Sequence, residues 1–293
     1  MLAKSMIERG FDIRKELVLM NDSFVWKRKG DVVYGIFPIL NSVKITHGLS
    51  TRRGGVSTGC FKSMNLAYNS EDNPENVKLN YQIFTAALNV NLENAVLSHQ
   101  THHTNIRRVT TDDKGKGFVR HRDYESVDGL ITNETEIPLM TFHADCVPLL
   151  FIDPITSAIG LAHAGWKGTA HNLAGKMVEE MKQSFGTDPE ELLVGIGPSI
   201  RECCYIIRND VRQVFLKELP FAIKHFKDTS KNQWQLSLQN INAELLMRAG
   251  VEKSHIFDAG ICTCCQSDLL FSHRAQGTSR GTMAALLQIN KNE

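Results

Sequence analysis

Residues Thr141 to Thr169 read TFHADCVPLLFIDPITSAIGLAHAGWKGT. Val147 to Ile152 and Ala158 to Ala162 are short apolar runs of β-branched and small residues, and Asp153-Pro154 interrupts them, which predicts strand, turn and strand. The hairpin puts Cys146 at the mouth of the first strand and His163 at the end of the second, so the two side chains can face each other. Gly165 and Gly168 follow, and Thr169 is read as the cap of a helix running to Phe185 and ended by Gly186 and Pro189. Within this one stretch His143, Asp145, Cys146, His163 and Lys167 crowd around a strand mouth and a helix start.

Composition narrows what such a chain can be. Its 293 residues are 42% hydrophobic, enough to bury a substantial core, and 33 basic against 32 acidic side chains leave a formal charge of +1. No global field recruits nucleic acid or an anionic membrane, and no stretch approaches the roughly 20 apolar residues of a membrane span. The first residues lack the apolar run of an export signal, so a cytoplasmic location is expected. Seven cysteines then argue for reduced thiols in metal or catalytic use over a disulfide frame.

Outward from the hairpin, residues 1–31 read as a peripheral N-terminal element, followed by strands at Val32 to Ile39 and Val43 to His47. From His47 to Ala67, glycines alternate with Ser and Thr in a loop that carries Arg52 and Arg53, side chains suited to a phosphate or carboxylate. A helix is predicted from Asn73-Pro74 to Leu88, with Val77, Tyr81 and Phe84 on one face, and a strand from Ala95 to Ser98 that ends in His99, Gln100, His102 and His103. Residues 111–127 read as a charged surface excursion. Further strands fall at Asp128 to Ile131, Glu191 to Ile196 and His255 to Ala259, and helices at Val211 to Leu219 and Leu238 to Ala249. Strands and helices mix without strict alternation and no linker interrupts them. That predicts one α+β domain, 1–293, of packed mixed sheets flanked by helices.

Cys146 and His163 admit two kinds of chemistry: a thiolate nucleophile with a histidine base, or two ligands of a metal whose third ligand comes from the His99 to His103 segment. Two nitrogens, one sulfur and an open fourth position make the donor set of a catalytic zinc. Cys262-Thr263-Cys264-Cys265 is a separate question. Cys262 and Cys265 have the spacing of half a zinc knuckle, and Cys203-Cys204 could complete it.

Six segments together resemble the laccase-domain family: HGxSTRxGG from His47, QxH from Gln100, HADCVPLLF from His143, AHAGWKG from Ala162, GPSIxxCCY from Gly197, and the late CTxC with FSxR. This family was first described as multicopper polyphenol oxidases and later as purine nucleoside phosphorylases and adenosine deaminases. The resemblance implies packed mixed sheets and a zinc ion held by His102, Cys146 and His163. It also implies substrate contacts from Ser50, Arg52, Gln100, His143, Lys167 and Arg274. Lys167 stands where relatives have Arg, His103 where they have Gly, and the altered Ser279-Arg280-Gly281-Thr282 segment ranks Arg280 below Arg274.

Purine nucleosides and phosphate are the expected partners. In phosphorolysis, phosphate attacks C1′ of the ribose; in deamination, a zinc-activated water attacks C6 of adenosine with Asp145 carrying protons. A copper-loaded polyphenol oxidase is the alternative within the family. The 11 histidines contain no HxH pair of the kind that builds a copper cluster, so phenol oxidation would reflect copper in the zinc site. A metal-free cysteine hydrolase using Cys146 and His163 is the rival outside it.

Overall fold

The computed structural model describes residues 23–42, 44–68 and 71–291, so most of the predicted N-terminal element lies outside the described residues. Its end does not stand apart: β1 (Val25–Lys29) is the edge strand of a six-stranded sheet in the order β1, β2 (Val32–Ile36), β3 (Ile45–Ser50), β15 (Met283–Ile289), β7 (Leu139–His143) and β4 (Val96–Leu97). A second six-stranded sheet runs β14 (Ile256–Asp258), β10 (Leu193–Ile196), β8 (Val147–Asp153), β9 (Ala158–Ala164), β6 (Gly129–Thr132) and β5 (Ile106–Arg108). Most pairings are antiparallel, but β4 with β7, β5 with β6 and β10 with β14 are parallel. The sheets are therefore mixed, and the chain is α+β as expected.

Period-two alternation decides which layer each strand residue joins. Leu150, Ile152, Ile159 and Leu161 of the second sheet meet Leu139, Ala285 and Leu287 of the first, filling the space between the sheets. Their neighbours Leu149, Phe151 and Ala162 point the other way, onto Met177 and Met181 of a helix at Leu173–Phe185 and Ile241 and Leu245 of one at Leu238–Arg248. On the outer face of the first sheet, Met140, Ala284 and Leu286 pack against Val77, Tyr81 and Phe84. Four layers result, helix, sheet, sheet, helix. Strands β8, β9 and β15, covered on both faces, are buried along their whole length.

The central hairpin forms as read. Its turn is held by Asp153, whose Oδ1 accepts from the N–H groups of Ile155 and Thr156 while Oδ2 accepts the Thr156 hydroxyl. Among the described residues the α-helices are, in chain order, α1 (Pro74–Ala87), α2 (Trp166–Ala170), α3 (Leu173–Phe185), α4 (Asn209–Glu218), α5 (Leu238–Arg248) and α6 (His273–Gln276).

Two expectations are corrected. The helix read as one from Thr169 to Phe185 is two. Gly165 is the N-cap of α2, Thr169 is buried inside it, and Asn172 at φ 61° breaks the chain and caps α3 through Gly175 N–H. Asn tolerates this left-handed conformation and its side chain replaces the missing backbone partner. A small antiparallel sheet of β11 (Ile206–Arg208), β13 (Gln233–Leu236) and β12 (Phe226–Ser230) was not foreseen; its strands are three to five residues long, and only β13, where Trp234 and Leu236 follow Gln233 and Gln235 in turn, alternates apolar with polar. Among the described residues, no helix is long and apolar enough to cross a membrane.

Candidate metal centre

Strand register assembles the centre. In the hairpin, Pro148 pairs with His163, which sets Cys146, just before β8, across from it. Strand β6 pairs with β9 on the other side, Gly129 opposite Ala162, so Asp128 arrives beside His163. His102 comes from the loop after β4, which an isolated bridge between His99 and Val127 stitches to the approach to β6. Ligand atoms of His102, Cys146 and His163 all lie within 4.8 Å of one another, and His102 Nε2 is 3.9 Å from Cys146 Sγ.

Asp128 organises this centre, and nothing in its sequence context announced it. Fully buried, it takes four hydrogen bonds on one carboxylate. Oδ1 accepts from His102 N–H at 3.1 Å and lies 2.9 Å from His163 Nδ1; Oδ2 accepts from Thr101 N–H at 3.1 Å and His103 N–H at 3.0 Å. Three successive amides wrapped around an anion hold the loop that presents His102, whose φ of 64° is otherwise unfavourable. With Nδ1 on Asp128, His163 turns Nε2 toward Cys146, the arrangement in which a carboxylate orients a metal-ligating imidazole.

Burial alone pushes the Cys146 thiol up, but His163, with hydrogen bonds from His102 and His163, outweighs it and brings the thiol down to about 6. Burial works against a charged His163 as well, yet Cys146 and Asp128 hold it up at about 9. Each group thus favours the charged form of the other, and a cation bound between them would take the place of the proton. Room for that ion is kept by Gly165: a Cβ there would lie 2.9 Å from His102 Cδ2 and 3.1 Å from Cys146 Sγ. Two imidazoles and one thiolate around this space fit a borderline-soft divalent ion.

The centre forms part of the wall of a cavity of about 820 Å³, a size suited to a small organic ligand. The aromatic side chains of Tyr68, Tyr81, Phe142, Trp166 and Tyr205 line it, with Arg122, Arg274 and Arg280. The charged excursion at 111–127 is thus no mere surface loop, since Arg122 reaches the cavity and donates to Ser98 carbonyl. Burial lowers Arg280, and its Nε is buried with no partner among the described residues, while Nη1 donates to Gly281 carbonyl and Thr282 hydroxyl.

The predicted contact residues divide. Gln100, Asp145 and Arg274 line the cavity with His102, Cys146 and His163. Gln100 is locked to the Phe142 backbone through both its amide atoms. Asp145 accepts from Thr263 hydroxyl and Arg274 N–H at 2.6 Å each, tying the late chain to the centre. Ser50, Arg52, His143 and Lys167 do not line it. Ser50 Oγ accepts the Ala284 N–H inside the first sheet. Arg52 donates to the Lys62 and Ser267 carbonyls and lies over the Phe271 ring. His143, kept neutral by burial, bonds Thr141 and the Cys146 carbonyl. Lys167 is exposed, over the Trp166 ring. Sequence reasoning missed Asp128, Arg122, Trp166 and Tyr205, and only the last two carried a signal, as neighbours of the His163 and Cys203-Cys204 motifs.

Several known proteins resemble this chain over most of its length. The chain is 36% identical over 273 residues to the purine nucleoside phosphorylase YlmD of Geobacillus stearothermophilus, covering 92% of this chain and 97% of that one. It is 34% identical over 249 residues to the protein of the same name from Bacillus subtilis, 84% and 89% covered. The crystal structure of the Bacillus licheniformis hypothetical protein YfiH superposes with a TM-score of 0.85 at 31% identity, over 90% of this chain and 99% of that one. That of Geobacillus stearothermophilus YlmD gives 0.82 at 32% identity, over 91% and 99%. Residues 46–290 match the model of the multi-copper polyphenol oxidoreductase laccase family, and the chain is a member of that family.

Proposed function

We propose that this chain phosphorolyses purine nucleosides at a zinc centre held by His102, Cys146 and His163. The observation that carries the reading is the meeting, in one cavity, of an open two-histidine, one-cysteine set with three arginines and five aromatic side chains. Relatives aligned over most of their length bear the name purine nucleoside phosphorylase, which supports it. When bound, the ion supplies Lewis-acid polarisation at the cavity wall.

The remaining steps belong to side chains. The aromatic side chains of the cavity wall offer a planar base faces to stack on. Arg280, with a buried Nε facing no acceptor, takes the phosphate, helped by Arg122 and Arg274. The role first given to Arg52 and Lys167 passes to these three because they reach the cavity. A phosphate oxygen bonds to C1′ while the bond from C1′ to N9 breaks; the base leaves with the electron pair and takes up a proton, and the guanidinium groups hold the phosphate charge in line with the developing cation.

Adenosine deamination is a second activity for the same cavity. Asp145 lines it, although to carry a proton it must release Thr263 or Arg274 N–H. Copper, which outranks zinc for such ligands, would make phenol oxidation a property of the same centre. One observation favours a different class: Cys146, His163 and Asp128 form the thiolate, imidazolium and carboxylate series of a cysteine hydrolase.

The test is incubation of metal-assayed protein with adenosine, inosine, guanosine and methylthioadenosine, with and without phosphate, resolved by chromatography. Free base that appears only with phosphate, and is lost in Cys146→Ala, is the expected outcome. Wild type and Cys146→Ala equally inert on every nucleoside would refute the assignment, and free base released without phosphate by metal-free protein, and lost in Cys146→Ala, would favour the hydrolase.

A further inference from the structure

Outside the cavity, a second set of thiols converges. Strands β10 and β14 run parallel, Ile196 beside Asp258, so the loops that leave them emerge together. Ser199 N–H donates to Ile261 carbonyl and Thr263 N–H to Ser199 carbonyl, lacing the two loops. The first carries Cys203 and Cys204, the second Cys262 and Cys265. Residues 202–204 form a turn, with Cys204 and Tyr205 N–H both on Arg201 carbonyl, so adjacent cysteines need not diverge as they would in a strand. The four sulfurs all lie within 4.8 Å of one another. Cys204 Sγ is 3.4 Å and Cys203 Sγ 3.6 Å from Cys265 Sγ.

That spacing discriminates between chemistries. Sulfurs at about 2.3 Å from a tetrahedral zinc are about 3.8 Å apart, whereas a disulfide needs about 2.05 Å between one pair and leaves the other two sulfurs with no reason to close in. Backbone donors are aimed at the set: Arg201 N–H is 3.5 Å from Cys262 Sγ, and Cys265 N–H bonds the same sulfur. Amides directed at the first sulfur of a Cys-x-x-Cys turn support a metal-bound thiolate from outside the coordination sphere.

We propose that Cys203, Cys204, Cys262 and Cys265 bind a second zinc ion in a closed tetrathiolate site. Four protein ligands leave no open position, so the site is structural. What it braces is the cavity wall. Tyr205 and Ile200 flank the first pair and line the cavity; Arg274 donates to Cys204 carbonyl, and Thr263, between the second pair, bonds Asp145. One ion thereby ties together the segments that carry Tyr205, Arg274 and Asp145, independently of what the first centre catalyses.

The experiment uses the full chain with His102→Ala and Cys146→Ala combined, which removes the first centre. The protein is produced with zinc in the medium, purified under reductant, freed of loose metal, and assayed for zinc and titratable thiols. About one zinc per chain is expected, falling at least about tenfold when Cys203→Ser and Cys265→Ser are added, with a lower thermal midpoint. Cobalt in place of zinc should give strong sulfur-to-cobalt charge-transfer absorption, lost with the same two serines. If the four-site variant fails to fold, the zinc content and cobalt spectrum of the two-site variant decide. Absence of zinc from that variant, a disulfide among these four cysteines, or zinc retained after both serine substitutions overturns the proposal.

Discussion

Asp128→Asn tests the organisation of the first centre most directly, because the change is nearly isosteric and removes one acceptor and one charge. In the wild type each carboxylate oxygen accepts two donors: His102 N–H and His163 on Oδ1, Thr101 N–H and His103 N–H on Oδ2. An amide has only one oxygen. If it faces His163, the amide NH₂ confronts two backbone N–H groups that are left without an acceptor. A donor left without a partner and out of reach of water costs about 1–3 kcal/mol; Thr101 and His103 are exposed residues with part-buried amides, so about 2–4 kcal/mol is at stake before relaxation. If instead the NH₂ faces His163, Nδ1 must accept, the ring proton moves to Nε2, and the nitrogen turned toward Cys146 can no longer ligate.

The first arrangement predicts a loss of about 2–4 kcal/mol in denaturant unfolding of metal-stripped protein and the second, which orphans only His102 N–H, about 1–3 kcal/mol; both predict zinc binding about 10–100-fold weaker by chelator competition. Unfolding curves of wild type and variant, measured without metal, separate the backbone effect from the ligand effect. An Asp128→Asn protein with wild-type stability and wild-type zinc affinity would refute the role assigned to this carboxylate. His102 should then be found held by something else.

Gly165→Ala isolates sterics at the same centre. The glycine has φ −69°, which alanine adopts freely, so the fold should persist while the new methyl, pressed on His102 and Cys146, weakens zinc binding by at least about tenfold, as read by the same competition assay; unchanged affinity would mean the ion sits elsewhere. His47 makes a pH prediction. Burial pushes it from 6.5 down to about 4, and it accepts the Phe37 N–H while neutral. Between those values the unfolded chain binds a proton that the folded chain refuses, so stability is full above about pH 6.5 and falls as pH drops toward 4, by roughly 3 kcal/mol. His47→Gln should flatten that slope in urea titrations across the range, and an equally steep fall in the variant would assign the acid sensitivity to other groups.

What could be read from residues alone was what depends on neighbours in the chain. The β8 and β9 hairpin followed from two apolar runs around Asp153-Pro154, and α1 from the spacing of Val77, Tyr81 and Phe84 behind Asn73-Pro74, because strand, turn and helix signals act over a few positions. The three side chains that converge on the candidate centre stood in motifs, and the resemblance chose His102 from among His99, His102 and His103. The division of one helix at Asn172 was not foreseen, since only a left-handed φ at that residue distinguishes a break from a continuous amphipathic run. Tertiary structure alone decided the rest. It brought Asp128 to His163 through the register of β6 on β9, Arg122 and Arg280 to one cavity, and Cys203 and Cys204 to Cys262 and Cys265 through parallel strands. It also drew Ser50, Arg52 and His143 into internal hydrogen bonds away from that cavity. The reason is physical: local sequence sets backbone conformation, whereas a site depends on which segments the burial of both sheet faces forces side by side.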